Sequence, residues 1–491
     1  MTTSRFQRLR PFLVPALLLL AAAAPAAHPA FPRSGDDIEA RIARVESGLL
    51  PDFIIAGRPL PAKPLAQRMA DFKTPGVSVA VINNGAVEWA KGYGVTETGT
   101  STPVTPHTLF QAASISKSIA ALGALRLVEQ EKLGLDEDVN IKLVSWKVPE
   151  NDFTKTEKVT LRRLLSHSAG LTVHGFGGYE AGTPVPTTSQ VLDGAKPANT
   201  DPVRVNVVPG TIWRYSGGGY TVAQQLMADV AGRPFPALMA DLVLKPVGMD
   251  DSTYEQPLPE DRRGAAASGH TSDGKLLPGR YHTYPEMAAA GLWTTPTDLA
   301  KFLLEIARAR RGESAVLSKA LALDMTTLQK PGYGLGLSLD GFGKTASFGH
   351  GGSNEGFKCQ MTAYLDGGRG AVIMTNGDLG LFVAGEILHA VALAYDWPSL
   401  KPVEKKVVAV DPKALASLEG RYELRPGRFL DVKLEGGTLF VIDGEDRIEL
   451  YPETETRFFE MDEGHILFFV KGPDGRPTHI TIDGQLKAPR R

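Results

Sequence analysis

Residues 110–134 read F-Q-A-A-S-I-S-K-S-I-A-A-L-G-A-L-R-L-V-E-Q-E-K-L-G. Between Ile119 and Val128 only Arg126 is charged, the pattern of a helix buried on most sides. Gly134 suits a helix C′ position, so the helix is expected to close there. Ser114 and Ser116 stand at its start, and Lys117 lies three residues after Ser114. Positions i and i+3 share a helix face. Ser114 is therefore expected at the positive end of the helix dipole with an amine one turn away. A serine hydroxyl is a weak nucleophile until something takes its proton. A lysine in a desolvated pocket can take it, because burial lowers its pKa. Alone, Ser-x-x-Lys is frequent by chance, and a capping serine beside a solvent-reaching lysine is the reading it favours. Partner groups elsewhere in the chain have to decide.

Working outward, β structure flanks this helix on both sides. Val77 to Ile82 is a strand, Asn83-Asn84-Gly85 a turn and Ala86 to Gly94 the return strand; an Asn-Gly pair between β-prone runs marks a hairpin. From Asp136 to about Gln329 helices are joined by Gly- and Pro-rich loops, with helices at Leu161 to Leu165, before Gly232 and at Thr297 to Ala309. Strands return at Tyr333 to Leu339, Thr345 to His350, Phe357 to Leu365 and Gly370 to Asn376, and Gly380 to Trp397 is a long apolar helix. The expected fold class is α+β: one antiparallel sheet built from both ends of residues 36–400, flanked by helices, with a mainly helical inserted lobe. Residues 401–412 are expected to be a linker. Residues 413–491, with short alternating strands split by Gly-Gly, Asp-Gly and Glu-Gly turns, are expected to form a small antiparallel β domain.

Composition narrows the function classes. The chain has 491 residues, 43% hydrophobic and 22% charged, with 53 Lys+Arg against 55 Asp+Glu for a net charge of −2. That balance offers no footprint for nucleic acid or an anionic membrane. The single cysteine, Cys359, excludes an intramolecular disulfide and disfavours a Cys-built zinc site. At the N-terminus Arg5, Arg8 and Arg10 precede the apolar run Pro11 to Ala24 and the small-x-small site Ala24-Pro25-Ala26. This is the layout of a cleavable signal peptide over residues 1–26, so the mature protein is expected to be periplasmic or secreted, without a membrane span.

Two further stretches look built for chemistry. Tyr215-Ser216-Gly217 lies in a Gly-rich loop before a helix, where a phenol can reach a cleft; a nearby ammonium would lower its pKa and let it relay protons. F-G-H-G-G-S-N-E-G-F, with His350, Gly351, Gly352 and Ser353 at its centre, has four glycines between residues 349 and 356. Such a backbone allows close approach of a substrate to N–H groups. There is no Gly-x-Ser-x-Gly elbow and no His-Glu-x-x-His helix. Lys344-Thr345-Ala346-Ser347 is a rival for the third motif, and His167, in S-H-S-A-G-L, is taken as structural.

In this order and spacing, Ser114-x-x-Lys117, Tyr215-Ser216-x and His350-Gly351-Gly352 resemble the serine β-lactamase and penicillin-binding protein superfamily, in its class C-like branch. Accessory blocks agree: L-R-R-L-L-S-H-S-A-G-L (161–171), P-G-T-I-W-R-Y-S-G-G-G-Y (209–220) and A-A-G-L-W-T-T-P-T-D-L-A (289–300). The likeness covers about Leu65 to Trp397, and the C-terminal segment resembles an appended lipocalin-like domain. The resemblance implies a Ser114 nucleophile, Lys117 as its proton acceptor, Tyr215 as proton shuttle, and backbone N–H groups of Ser114 and Ser353 as oxyanion hole. It implies no metal or organic cofactor, and a small-molecule or short-peptide substrate. Gly217 stands where many relatives carry Asn, and His350 where many carry Lys. Both departures point towards an esterase or D-amino-acid peptidase acting through an acyl-enzyme. A class C-like β-lactamase or DD-carboxypeptidase, and a non-catalytic penicillin- or muropeptide-binding protein, are the alternatives.

Overall fold

The computed structural model describes residues 37–461 and 463–491, so the expected signal peptide lies outside the described residues. Two compact units divide the chain. One is Met69–Ala384; the other joins Glu39–Arg68 to Gly385–Arg491.

In the first unit, six strands among the described residues form one sheet. They are β1 (Gly76–Asn83), β2 (Ala86–Gly94), β3 (Ser338–Asp340), β4 (Ser347–Asn354), β5 (Phe357–Tyr364) and β6 (Arg369–Thr375). Their order is β2-β1-β6-β5-β4-β3, every neighbouring pair antiparallel. The sheet is thus assembled from both ends of the unit. The hairpin β1–β2 turns through Asn84 at φ +51° and Gly85 at φ +75°, the two positive φ angles that suit the twist of a tight hairpin. β1 is buried along all but its last residue, as a central strand covered on both faces must be.

Helices cover and interrupt the sheet. α1 (Ser116–Glu129) is buried from Ser116 to Leu125, a stretch whose one ionisable side chain is Lys117. α2 (Gly217–Ala231) starts at Ser216, whose hydroxyl accepts the Gly219 N–H at 3.0 Å, and stops at Gly232 with φ +61°. α3 (Pro296–Arg311) buries Leu299, Phe302, Leu303 and Ile306 at helical spacing and packs on β6 and β1.

Three expected boundaries differ. The helix expected to run to Gly134 ends at Glu129, because the chain turns at Glu131, which has φ +59°. The strand expected over Tyr333 to Leu339 is confined to β3. Gly332 and Gly336 have φ of +73° and +80°, and Gly336 is tied to the helical lobe instead: its N–H donates to Leu165 O at 3.0 Å and its carbonyl accepts the Ser118 hydroxyl at 2.6 Å. Thr345, read as the first residue of a strand, belongs instead to the helical turn Gly343–Thr345.

In the second unit, eight consecutive strands among the described residues between Gly420 and Pro489 pair antiparallel in sequence order. A bridge between Tyr422 and Arg490 and the Arg491 N–H donating to Arg421 O at 2.8 Å join the first strand to the last, closing a barrel. Its interior is filled by Tyr422, Leu430, Val441, Phe458, Phe469 and Ile480, alternate residues of their strands as a barrel requires. Residues expected as linker contain the strand Val403–Lys405, which pairs in parallel with Phe53–Ile55. No helix among the described residues is long and apolar enough to cross a membrane.

Candidate active site

The chain reaches Ser114 through a strained elbow. The short strand Phe110–Gln111 leads to Ala113 at φ +49°, and Ala113–Ile115 form one helical turn before α1 begins. A non-glycine residue in the left-handed region costs roughly 1 kcal/mol. Packing holds it there, because Ala112, Ala113 and Ile115 are all fully buried. The elbow, and not the first turn of α1 as the sequence led us to expect, carries Ser114.

Lys117 still shares a face with Ser114. Its Nζ lies 3.0 Å from Ser114 Oγ and 2.7 Å from the carbonyl of Ala289, to which it donates. The side chain is 2% exposed, with Nζ 5.0 Å from the ring centre of Tyr215. Burial, with no carboxylate to offset it, pulls its pKa from 10.5 down to about 7. Near neutrality much of it is therefore free amine, the form able to take the serine proton.

Tyr215 comes from the loop before α2. Burial pushes its phenol above its usual pKa of 10, opposed by an interaction with Ser114, towards which the hydroxyl is turned. The expected lowering by an ammonium is not found: burial raises the phenol, and Ser114 is the group that opposes it. Tyr215 is a phenol at neutral pH, so it can pass a proton on but does not start as the base.

His350 lies on β4, its ring centre 6.2 Å from that of Tyr215. Nδ1 is 2.6 Å from the Gly351 carbonyl, which can only accept, so Nδ1 carries the hydrogen. Nε2, 3.0 Å from the Tyr333 hydroxyl, then accepts from it. Burial, reinforced by Lys117, lowers the His350 pKa to about 3, leaving the ring neutral. Gly351, Gly352 and Ser353 continue β4 past the elbow, with Ser353 exposed. Lys344, the rival third-motif residue, is on the exposed turn Gly343–Thr345.

Backbone-to-backbone packing joins β4 to the elbow. A Cβ on Gly352 would fall 2.2 Å from Ala112 O and 2.4 Å from Cys359 Sγ. The Cys359 thiol lies 3.1 Å from the same carbonyl and donates to it. Neither backbone can retreat, so Gly352→Ala is expected to lower stability by about 2 kcal/mol or more and kcat by at least tenfold. Urea unfolding and ester turnover on one preparation measure both; an unchanged kcat would show that the spacing of β4 and the elbow is immaterial.

His167 was read as structural for want of neighbours in sequence, but the fold supplies them. Its ring lies 4.1 Å from Tyr215 and 4.9 Å from Tyr333, centre to centre. Nδ1 accepts the Ser216 N–H at 3.1 Å, and His167 O accepts the Arg214 N–H at 2.8 Å. Full burial, and then the Lys117 charge, hold its pKa well below 6.5. It fixes the loop that carries Tyr215. Tyr333 and His174 are likewise absent from the sequence reading, although Tyr333 follows a Pro-Gly turn and His174 lies three residues beyond the S-H-S-A-G-L block. No cluster of three or more His, Cys, Asp or Glu among the described residues could hold a metal ion.

Comparison with known proteins gives a family. A family model described as Beta-lactamase matches residues 62–396. The chain is 24% identical over 431 residues to penicillin-binding protein 4* of Bacillus subtilis (strain 168), covering 83% of this chain and 92% of that protein. It is 27% identical over 203 residues to esterase EstB of Burkholderia gladioli, covering 40% and 50%. Among solved structures, the octameric penicillin-binding protein homologue from Pyrococcus abyssi superposes with a TM-score of 0.60 at 24% identity, covering 87% of this chain and 98% of that one.

Proposed function

The chain belongs to the beta-lactamase family, a family of serine hydrolases, and from that premise we propose that it is an exported acyl hydrolase that works through an ester of Ser114. The observation that carries this reading is Lys117 Nζ, buried, with its pKa lowered to about 7, at 3.0 Å from Ser114 Oγ.

In this reading Lys117 takes the Ser114 proton as Oγ bonds to the acyl carbon. Backbone N–H groups of Ser114 and Ser353 receive the oxyanion, each such donor lowering the barrier by roughly 3 kcal/mol. The C–X bond then breaks, and the proton on Lys117 reaches the leaving atom by way of the Tyr215 hydroxyl. Water enters against the acyl carbon, gives its proton back along the same path and releases the acid, restoring the serine hydroxyl. Substrates are esters or amides of small acids or short peptides, and the basic, apolar N-terminus supports export to the periplasm or medium.

The test is a side-by-side assay of nitrocefin, a short-chain nitrophenyl ester and D-Ala nitroanilide. Ester or anilide turnover is expected to exceed that of nitrocefin. Ser114→Ala is expected to remove turnover by about 10³-fold or more and to abolish labelling by a fluorophosphonate. Turnover and labelling that survive the substitution would end this reading. Stoichiometric acylation by a labelled penicillin without turnover would make the protein a binder instead.

A further inference from the structure

Gly217 opens α2 two residues after Tyr215, and another side chain occupies the space beside it. A Cβ on Gly217 would lie 2.9 Å from Phe176 Cε2, 3.1 Å from the His174 carbonyl and 3.4 Å from Phe176 Cδ2. Phe176 belongs to the segment Thr172-Val173-His174-Gly175-Phe176, which is pinned along the start of α2. The Gly217 N–H donates to His174 O at 2.9 Å, the Gly218 N–H to Val173 O at 3.1 Å, and the Ser216 hydroxyl to Thr172 O at 2.8 Å. Phe176 is half-buried and packs against the apolar core. The same segment reaches the reacting groups. The His174 ring is 5.0 Å from that of Tyr215, centre to centre, and the charge of Lys117 acts on it.

The charges here are of one kind. His167, His174 and His350 are each held below the ordinary histidine pKa, burial being the first cause in all three. Of these four groups Lys117 is thus the one that carries appreciable positive charge at neutral pH, and it is directed at Ser114 and Ala289; the Arg214 guanidinium is engaged by Gly170 O and Asn206. A substrate carboxylate entering this space would lose water without gaining a cation, which is costly. An apolar group would instead pack against the half-buried ring of Phe176.

We propose that Phe176 is the specificity-determining wall of the site, and that the substrate class is uncharged acyl donors carrying an aromatic or branched apolar group next to the scissile carbonyl. This rests on the acyl-hydrolase reading and adds to it which acyl groups are taken. Gly217 is required because any side chain there displaces the ring.

The experiment compares nitrophenyl acetate, phenylacetate and hemisuccinate, which share a leaving group, on the wild-type protein and on Phe176→Ala, Phe176→Leu, Gly217→Ala and the double variant Gly217→Ala/Phe176→Ala. Wild type is expected to prefer phenylacetate to hemisuccinate by at least tenfold in kcat/KM, the range in which one apolar contact discriminates. Phe176→Ala is expected to raise KM for phenylacetate about tenfold with kcat within threefold, to leave acetate nearly unchanged, and Phe176→Leu to restore most of the preference. Gly217→Ala is expected to mimic Phe176→Ala, and the double variant to be no worse than either single one, since both act through one ring. Equal losses on acetate and phenylacetate, additive losses in the double variant, or a wild-type preference for hemisuccinate would each overturn the proposal while leaving the hydrolase reading intact. A wild-type protein that turns over none of the three esters and takes no fluorophosphonate would instead sink the hydrolase reading, and this proposal with it.

Discussion

Replacing Lys117 with Met is expected to reduce kcat/KM for a nitrophenyl ester at pH 7.5 by about 10³-fold or more, without unfolding the protein. The expected loss follows from geometry. Nζ stands 3.0 Å from Ser114 Oγ, whereas the other group turned towards that oxygen, Tyr215, is a phenol with its pKa pushed up by burial. Without the amine, attack has to start from an un-ionised hydroxyl. Methionine fills nearly the same volume with no charge to desolvate, so packing around Ala289 and Tyr220 is kept.

The pH dependence has a fixed sign. The useful form of Lys117 is the free amine, so wild-type kcat/KM is expected to fall on the acid side with a midpoint near 7 and to stay flat up to pH 9. A basic limb below pH 9 would contradict a Tyr215 raised by burial. The same shift is a stability statement. Lys117 binds its proton less tightly folded, at about 7, than unfolded, at 10.5, so the unfolded chain holds more protons across that interval. Stability therefore rises with pH from about 7 to 10.5 on account of this residue, by a few kcal/mol in all. Lys117→Met removes that rise. Equal pH slopes for wild type and variant in urea unfolding would show that Lys117 is not desolvated as the structure places it.

Much of this was legible along the chain, for identifiable reasons. Ser114 and Lys117 are three residues apart, so any helical turn brings them together, whether or not α1 starts at Ser114. The β1–β2 hairpin announces itself through Asn84-Gly85, and the barrel strands through strict alternation. What could not be read is what long-range packing imposes. The left-handed Ala113 is held by the approach of Gly352 to Ala112, across some 240 positions of chain. His167 offers no local partner, and its contacts with Ser216, Tyr215 and Tyr333 exist only once three segments converge. The sign of the Tyr215 shift is set by burial, which outweighs the Ser114 hydroxyl, and a sequence does not carry burial depth. The departure at Gly217 was visible, but the ring of Phe176 that fills its place was not, because the loop 172–178 has no periodicity to place it.

Glu286→Gln is expected to stabilise the protein at pH 8 by roughly 3 to 5 kcal/mol and to change it little at pH 5. Glu286 is fully buried, and neither carboxylate oxygen meets a hydrogen-bond partner on another described residue. Burial raises its pKa from 4.5 to about 8, relieved only slightly by its own backbone N–H. Its folded pKa is raised, so its contribution is fully present below about 4.5 and is lost as pH rises to about 8. In that interval the unfolded chain ionises freely, while the folded chain must keep the proton or bury a bare charge. Each pH unit in the window costs up to about 1.4 kcal/mol. Glutamine keeps the shape and cannot ionise, so its unfolding free energy should stay level from pH 5 to 8 where that of the wild type falls. The position gives this a bearing on activity. Glu286 O accepts the N–H groups of Ala289 and Ala290 at 3.0 and 2.9 Å, and Ala289 O is the second ligand of Lys117 Nζ. Below pH 8 Glu286 is protonated and leaves this turn undisturbed, so the activity midpoint near 7 belongs to Lys117. The two shifts act in opposite directions on stability, Glu286 lowering it from pH 4.5 to 8 and Lys117 raising it from 7 to 10.5, and each shows as the difference between wild type and its variant. Denaturant unfolding at half-unit pH steps for wild type, Glu286→Gln and Lys117→Met resolves both arms. A Glu286→Gln gain that does not depend on pH would mean that Glu286 is already ionised and paired in the folded protein.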